Sequence, residues 1–200
     1  PVLDMVPGVQ CQVDGGELRE VQLAGQATTV YFLVFVLSFS RLMYVTLSLH
    51  PIDTEQFISM HDQAFCFFDG VVEECVYDQT KLVVIKEEFR ELWLNQRFHH
   101  YANAAGFQVR VCEGYDPESK GKVEAGVKYV KQDFFYGDSF ARVEDLKQRL
   151  LEWLKTVANV RIHGTTQQVP WDRYDQEERP RMKPYLSPRC LYQASLGASR

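Results

Sequence analysis

Apolar positions along the chain follow two periods. Alternation runs through Val9 to Asp14 (VQCQVD) and predicts a strand ending on an acid. GGELRE follows and predicts a turn, with a second strand over Thr28 to Leu37. That strand holds the longest apolar run, the eight residues VYFLVFVL, and reads as buried on both faces. SFSR turns the chain into a third strand, Leu42 to Leu49. Pro51 breaks it, and Asp53 is placed to cap a helix whose apolar face carries Phe57, Met60, His61, Ala64, Phe65 and Phe68 before Gly70 ends it. A fourth strand, Val71 to Asp78, again ends on an acid. KLVVIKEEFRELWL mixes strand and helix signals. Asn95 opens a short helix to Ala105, stopped by Gly106, and Phe107 to Val111 is a fifth strand. Pro117 and Ser119 start a lysine-rich helix with Val123, Val127, Val130 and Phe134 on one stripe. Asp138 or Ser139 starts a last one, with Val143, Leu146, Leu150, Leu154 and Val157 inside.

The order β-β-β-α-β-α-β-α-α predicts an α/β fold: a mixed five-stranded sheet with helices on both faces. Residues 1–158 read as one domain. From Asn159 to Arg200 prolines are denser and periodicity is lost, so this part reads as an extension without clear domain character.

Composition narrows the class. Hydrophobic content of 46% and aromatic content of 13% favour a packed core over disorder. The longest apolar run falls far short of the roughly 20 residues that span a bilayer, and no signal peptide is visible. Five cysteines, with no CxxC pair, argue against a disulfide framework or a zinc site and fit a reducing cytoplasm. The chain begins at Pro1 without an initiator Met and reads as part of a longer protein. Net charge is −5, unlike a generic nucleic-acid binder, but it is uneven: residues 1–78 carry a net −9 and residues 79–200 a net +4. An acidic half suits metal cations and a basic half suits phosphate.

Two acids stand at strand ends, Asp14 and Asp78. On neighbouring strands of like direction both would emerge at one edge. Glu124, on the rim of the lysine-rich helix, is placed to join them. Three hard oxygen ligands suit Mg²⁺ or Mn²⁺, and paired metals serve phosphodiester chemistry. Asp at a strand end also serves as an ordinary turn residue, and Glu124 with Lys120, Lys128 and Lys131 also forms an ordinary solvated helix face.

GVQCQVDGGE resembles the start of the catalytic core of IstA-type insertion-sequence transposases, in the DDE transposase/retroviral integrase superfamily. The resemblance continues through FVLSFSRLMYV, VYDQTKLVV, NQRFHHYANAAGF, DPESKGKVEAGVKYVKQDFFYG and LLEWLKTVANVRIHGTT, covering Gly8 to Arg181. It implies a ribonuclease-H-like fold and three catalytic, metal-binding acids that fall on Asp14, Asp78 and Glu124, holding two Mg²⁺ (or Mn²⁺) ions. It implies cleavage at transposon ends, strand transfer of the 3′-OH into target DNA, a homo-oligomeric assembly and the AAA+ ATPase IstB as partner. Lys120, Lys122, Lys128 and Lys131 would face the DNA backbone, with Arg161 and His163 as further phosphate contacts. Gly15 stands where the family usually has Trp, Gln79 where it has Asn, and Glu113 and Asp116 where it has arginines. These departures leave two alternatives open: a degenerate, non-catalytic DNA-binding or assembly module, and a hydrolytic nuclease of the same fold.

Overall fold

The computed structural model describes residues 6–78, 96–112 and 125–187. Its strands are β1 (Gln10–Leu23), β2 (Gln26–Leu37), β3 (Met43–Ser48), β4 (Glu74–Asp78), β5 (Gln108–Cys112) and the two-residue β6 (Ser139–Phe140). They form one mixed sheet in the order β3-β2-β1-β4-β5, with β6 pairing beside the far part of β1. β1–β2 and β2–β3 are antiparallel, while β1–β4 and β4–β5 are parallel. The five expected strands are present, and β6 is an addition.

Helices cover both faces. Helix α1 (Thr54–Phe68) and helix α2 (Gln96–Ala105) lie on one. There Phe57, Phe65, Phe68 and Phe98 pack with Cys11, Val13, Leu33 and Phe35. Asp53 caps α1 as its sequence suggests, its carboxylate accepting the Gln56 N–H at 2.7 Å. The opposite face carries helix α3, which spans residues 125–129 and continues as a wide turn over Val130–Phe134. Beside it lies helix α4 (Val143–Trp153), continued by a second wide turn, Leu154–Ala158. Val130, Phe134, Leu146, Leu150 and Leu154 meet Val30, Phe32, Val34 and Val36 on this side. Because β2 feeds both cores with alternate residues, its long apolar run needs no polar face.

Three local expectations are corrected. GGELRE is not a turn: β1 continues through it, with a shift of register against β2 between Leu18 and Val21, and the chain reverses only at Ala24 and Gly25. Gly16 is a strand glycine directly opposite Phe32, whose ring lies across it; a Cβ there would come within 2.4 Å of the ring's Cζ. The ring cannot swing aside, being fully buried and set against Phe135 at 6.1 Å. Gly16→Ala is therefore expected to cost about 1–3 kcal/mol, read as a lower urea midpoint. An unchanged midpoint would mean the ring yields freely.

Ser139 does not start a helix. It pairs with Gln22 in β6, and Phe140 beside it is buried among Phe134 and Phe135, so α4 begins only at Val143. Val157 is 41% exposed rather than inside. The wide turn that contains it closes with the Asn159 N–H on the Leu154 carbonyl at 3.2 Å, five residues back. That change of pitch rotates Val157 outward and Ala158 inward.

Residues 159–187 return to the body of the fold. A short helix, α5 (Pro170–Arg173), runs on through Tyr174–Glu178. Tyr174 and Glu178 are fully buried, and Lys183 bridges to Val71. Among the described residues no helix is long and apolar enough to cross a membrane.

Candidate active site

The parallel pairing of β1 and β4 runs from Gln10 opposite Glu74 to Val13 opposite Tyr77. The next residue on each strand is an acid, Asp14 and Asp78. The two therefore occupy neighbouring positions on adjacent, like-directed strands, just past the point where the pairing between them ends. Asp14 does not close its strand, as its sequence suggested. β1 continues because β2 goes on pairing with it, and only the pairing with β4 stops there. Asp78 does end β4, and its backbone pairs with Cys112 of β5.

Asp14 is only 4% exposed, and its Oδ1 accepts the Gly15 N–H at 2.8 Å. It lies directly opposite Val34, so it shares the sheet face covered by α3. Gly126 brings α3 onto that face: a Cβ there would lie 3.2 Å from Val34 and 3.5 Å from Val36. Two residues before this close approach stands Glu124, which lies outside the described residues, as does the side chain of Asp78. The helix thus meets the sheet at the strand partner of Asp14. Lack of a side chain at Gly126 is what permits the approach.

The family model of the integrase core domain matches residues 6–117. The chain belongs to the integrase core family. It is 36% identical over 178 residues to the transposase for an IS21-like insertion sequence element of Bacteroides fragilis. The match covers 89% of this chain and 34% of that protein, so the chain spans about a third of its relative's length. The same fold occurs in the simian T-cell lymphotropic virus intasome, at 17% identity and a TM-score of 0.61, over 92% of this chain and 60% of that one. It occurs also in the HTLV-2 integrase catalytic core solved with magnesium, at 15% identity and a TM-score of 0.55, over 84% of this chain and 97% of that one. The architecture of this integrase core is ribonuclease-H-like.

Among the described residues no group of three His, Cys, Asp or Glu side chains is placed to hold a metal. Two of the basic residues singled out in this integrase core, Lys120 and Lys122, lie outside the described residues. Lys128 is exposed on α3, and Lys131 is half-buried with its Nζ 6.0 Å from the centre of the Phe32 ring. Arg161 stacks on Tyr129, its Cζ 3.6 Å from the ring centre. His163 is half-buried, and its Nδ1 accepts the Thr165 N–H at 3.3 Å. Burial and the cations Arg41, Arg161 and Arg173 lower the proton affinity of its ring.

Three residues to which the sequence reading assigned no functional role support this geometry. Asn159 is fully buried and mimics a strand: its Oδ1 accepts the Met43 N–H at 2.8 Å and its Nδ2 donates to the Met43 carbonyl at 2.7 Å. It fixes the segment that carries Arg161 and His163. Glu178 accepts the N–H groups of Gly8 and Ser40, both at 3.1 Å, and holds the β2–β3 turn. His61, on α1, contacts the Tyr77 hydroxyl at 2.8 Å and so anchors β4 one residue before Asp78. A lone Asn after a helix and a lone His on an apolar face carry no signal of such partners in sequence.

Proposed function

We propose that this integrase core is the catalytic core of a DNA transposase that cleaves DNA at transposon ends and joins the freed 3′-OH to a target. The observation that carries the reading is the register placing Asp14 beside Asp78, within a family of integrase cores. Asp14, Asp78 and Glu124 are the catalytic and metal-holding residues. The donor set fits Mg²⁺ or Mn²⁺, since both take carboxylate oxygen. A buried carboxylate next to a second acid is a setting that favours a bound cation. Two such ions, when bound, supply Lewis-acid stabilisation of charge on the oxygens at the phosphorus.

The chain's own contribution is to position. Gly15 N–H holds one carboxylate oxygen of Asp14, and α3 closes the face on which that residue lies. In the first step water forms a P–O bond at the scissile phosphate as the bond to the 3′-oxygen breaks, leaving a 3′-OH. In the second that hydroxyl attacks a target phosphodiester, forming one P–O bond and breaking another. Lys120, Lys122, Lys128 and Lys131 contact the DNA backbone, joined by Arg161 and His163. The working assembly is a homo-oligomer on DNA, served by the ATPase IstB.

The test is joining of a precut 3′-end to plasmid by the intact protein in Mg²⁺. Joined product is the expected result. Cleavage without joining would make it a hydrolytic nuclease, and DNA binding with neither would make it an assembly module.

Replacing Lys128 and Lys131 together by Ala is expected to weaken binding to all DNA sequences alike and to make the salt slope shallower by about 2 units. Base preference should hold, because phosphate contacts position the duplex without reading it. An unchanged slope would assign Lys131 to packing over Phe32 and Lys128 to solvent.

A further inference from the structure

We propose that a cleft walled by Arg41, Arg161 and His163 binds a single backbone phosphate of DNA. The cleft holds about 70 Å³ and lies between the β2–β3 turn, the start of α3 and the segment after Ala158. A single water needs roughly 10–15 Å³ on this measure, so the space takes a small anionic group but not a nucleotide.

Its walls are rich in donors and poor in acceptors. Arg41 Nε and Nη1 are shielded from water and have no hydrogen-bond partner among the described residues. Its backbone holds the left-handed conformation, φ 68°, unfavourable for a residue with a Cβ. Arg161 lies over Tyr129, its Cζ 3.6 Å from the ring centre, and its guanidinium carries five donors, more than this one neighbour can use. His163 uses Nδ1 to accept the Thr165 N–H, so a neutral ring carries its proton on Nε2, a third donor. Arg173 stands behind, its Cζ 4.0 Å from the Phe39 ring centre.

Among the described residues the lining of the cleft carries no carboxylate. Burial and Arg173 lower the proton affinity of Arg41, and burial with the three arginines does the same to His163. The carboxylate that offsets them is Glu178, and both its oxygens are engaged by backbone N–H groups. It lends charge to Arg41 and Arg173 and, among the described residues, hydrogen-bonds to neither. A phosphate brings what the described lining lacks: negative charge and several acceptor oxygens in a geometry that matches a guanidinium fork.

That the phosphate belongs to DNA rests on the proposed transposase reading. The cleft is lined by Ala125 and Gly126, at the point where α3 meets the partner of Asp14. A phosphate held there lies on the sheet face of Asp14. Asn159 makes the arrangement rigid, because it locks the chain to Met43 two residues before Arg161 and four before His163.

The experiment replaces end-DNA phosphates one at a time by neutral methylphosphonate and measures binding to the intact protein without divalent metal. One linkage is expected to weaken wild-type binding roughly ten- to hundredfold, the scale of a charge-assisted contact. That linkage should have no further effect on Arg161→Gln or Arg41→Gln. Arg161 is exposed, so its variant keeps the test valid if Arg41→Gln fails to fold. If every linkage weakens wild type and Arg161→Gln by the same factor, the cleft does not hold a DNA phosphate. Inorganic phosphate alone is titrated against the His163 ring signals. A response there without any coupled linkage would make this a site for free anions and overturn the assignment to DNA. Wild-type protein that binds no DNA would overturn it too. Since no cleavage is read, coupling that survives in a protein without joining activity upholds the cleft and sinks only the catalytic reading.

Discussion

Asp14→Asn will leave the protein folded and its DNA cleavage lower on the order of 10³-fold or more, the scale of losing a group that acts in the transition state. Asp78→Asn and Glu124→Gln will do the same. The argument is strongest at Asp14, where the surroundings are visible. Asn has the same shape, and its Oδ1 can still accept the Gly15 N–H that Asp14 accepts at 2.8 Å. The site is 4% exposed, so a neutral side chain is not penalised by burial. What is lost is the negative charge that holds a divalent cation. The urea midpoint should therefore hold or rise while Mg²⁺-dependent cleavage vanishes. A variant that cleaves at near wild-type rate in Mg²⁺ would remove its residue from the site. A variant that loses cleavage and stability together would show a structural role instead.

That Asp14 and Asp78 each follow an apolar run could be read before any coordinates because it depends on short-range signals, whereas the parallel pairing of β1 with β4 joins segments 64 residues apart and was only a condition of the sequence reading. Both acids follow alternating apolar runs, and parallel neighbours in an α/β sheet end at a common edge. Regular elements with strong periodicity were legible for the same reason: β2, α1 and the fifth strand lie within a few residues of where their patterns put them. Failures came where a distant partner overrides the local pattern. GGE reads as a turn until Phe32, sixteen residues on, is seen lying across Gly16. Val157 fits a 3.6-residue stripe until the wide turn changes the pitch. Arg41 and Asn159 are ordinary in sequence. One gains meaning from a cleft shared with a segment 120 residues later, the other from a backbone 116 residues away. No window of sequence contains those contacts.

Acidification should destabilise the fold through His61. Its Nδ1 lies 2.7 Å from the Phe57 carbonyl, which can only accept, so Nδ1 carries the proton. Nε2 then accepts from the Tyr77 hydroxyl at 2.8 Å. The ring is fully buried among Phe35, Phe57 and Phe98. Burial pushes it down to about 4 from the ordinary 6.5, although the Phe57 carbonyl acts the other way. With its affinity for a proton depressed by folding, His61 is neutral in both states at high pH. Below 6.5 the unfolded chain takes a proton that the folded one refuses, so stability falls until the pH reaches about 4. The gap between the two values amounts to about 3 kcal/mol. Glu178 works in the opposite sense: burial raises its carboxyl, so mild acid favours the folded form there. The measurement must therefore be a difference. His61→Gln is neutral at every pH; it should start less stable than wild type at pH 7.5, and the difference in unfolding free energy should close as pH falls towards 4. Parallel curves would mean that His61 is protonated in the folded state, with Tyr77 turned away to accept the change. Because Tyr77 precedes Asp78, removing the His61 contact with His61→Gln also frees the end of β4 at the candidate site, so that variant's cleavage should be lower than wild type at pH 7.5.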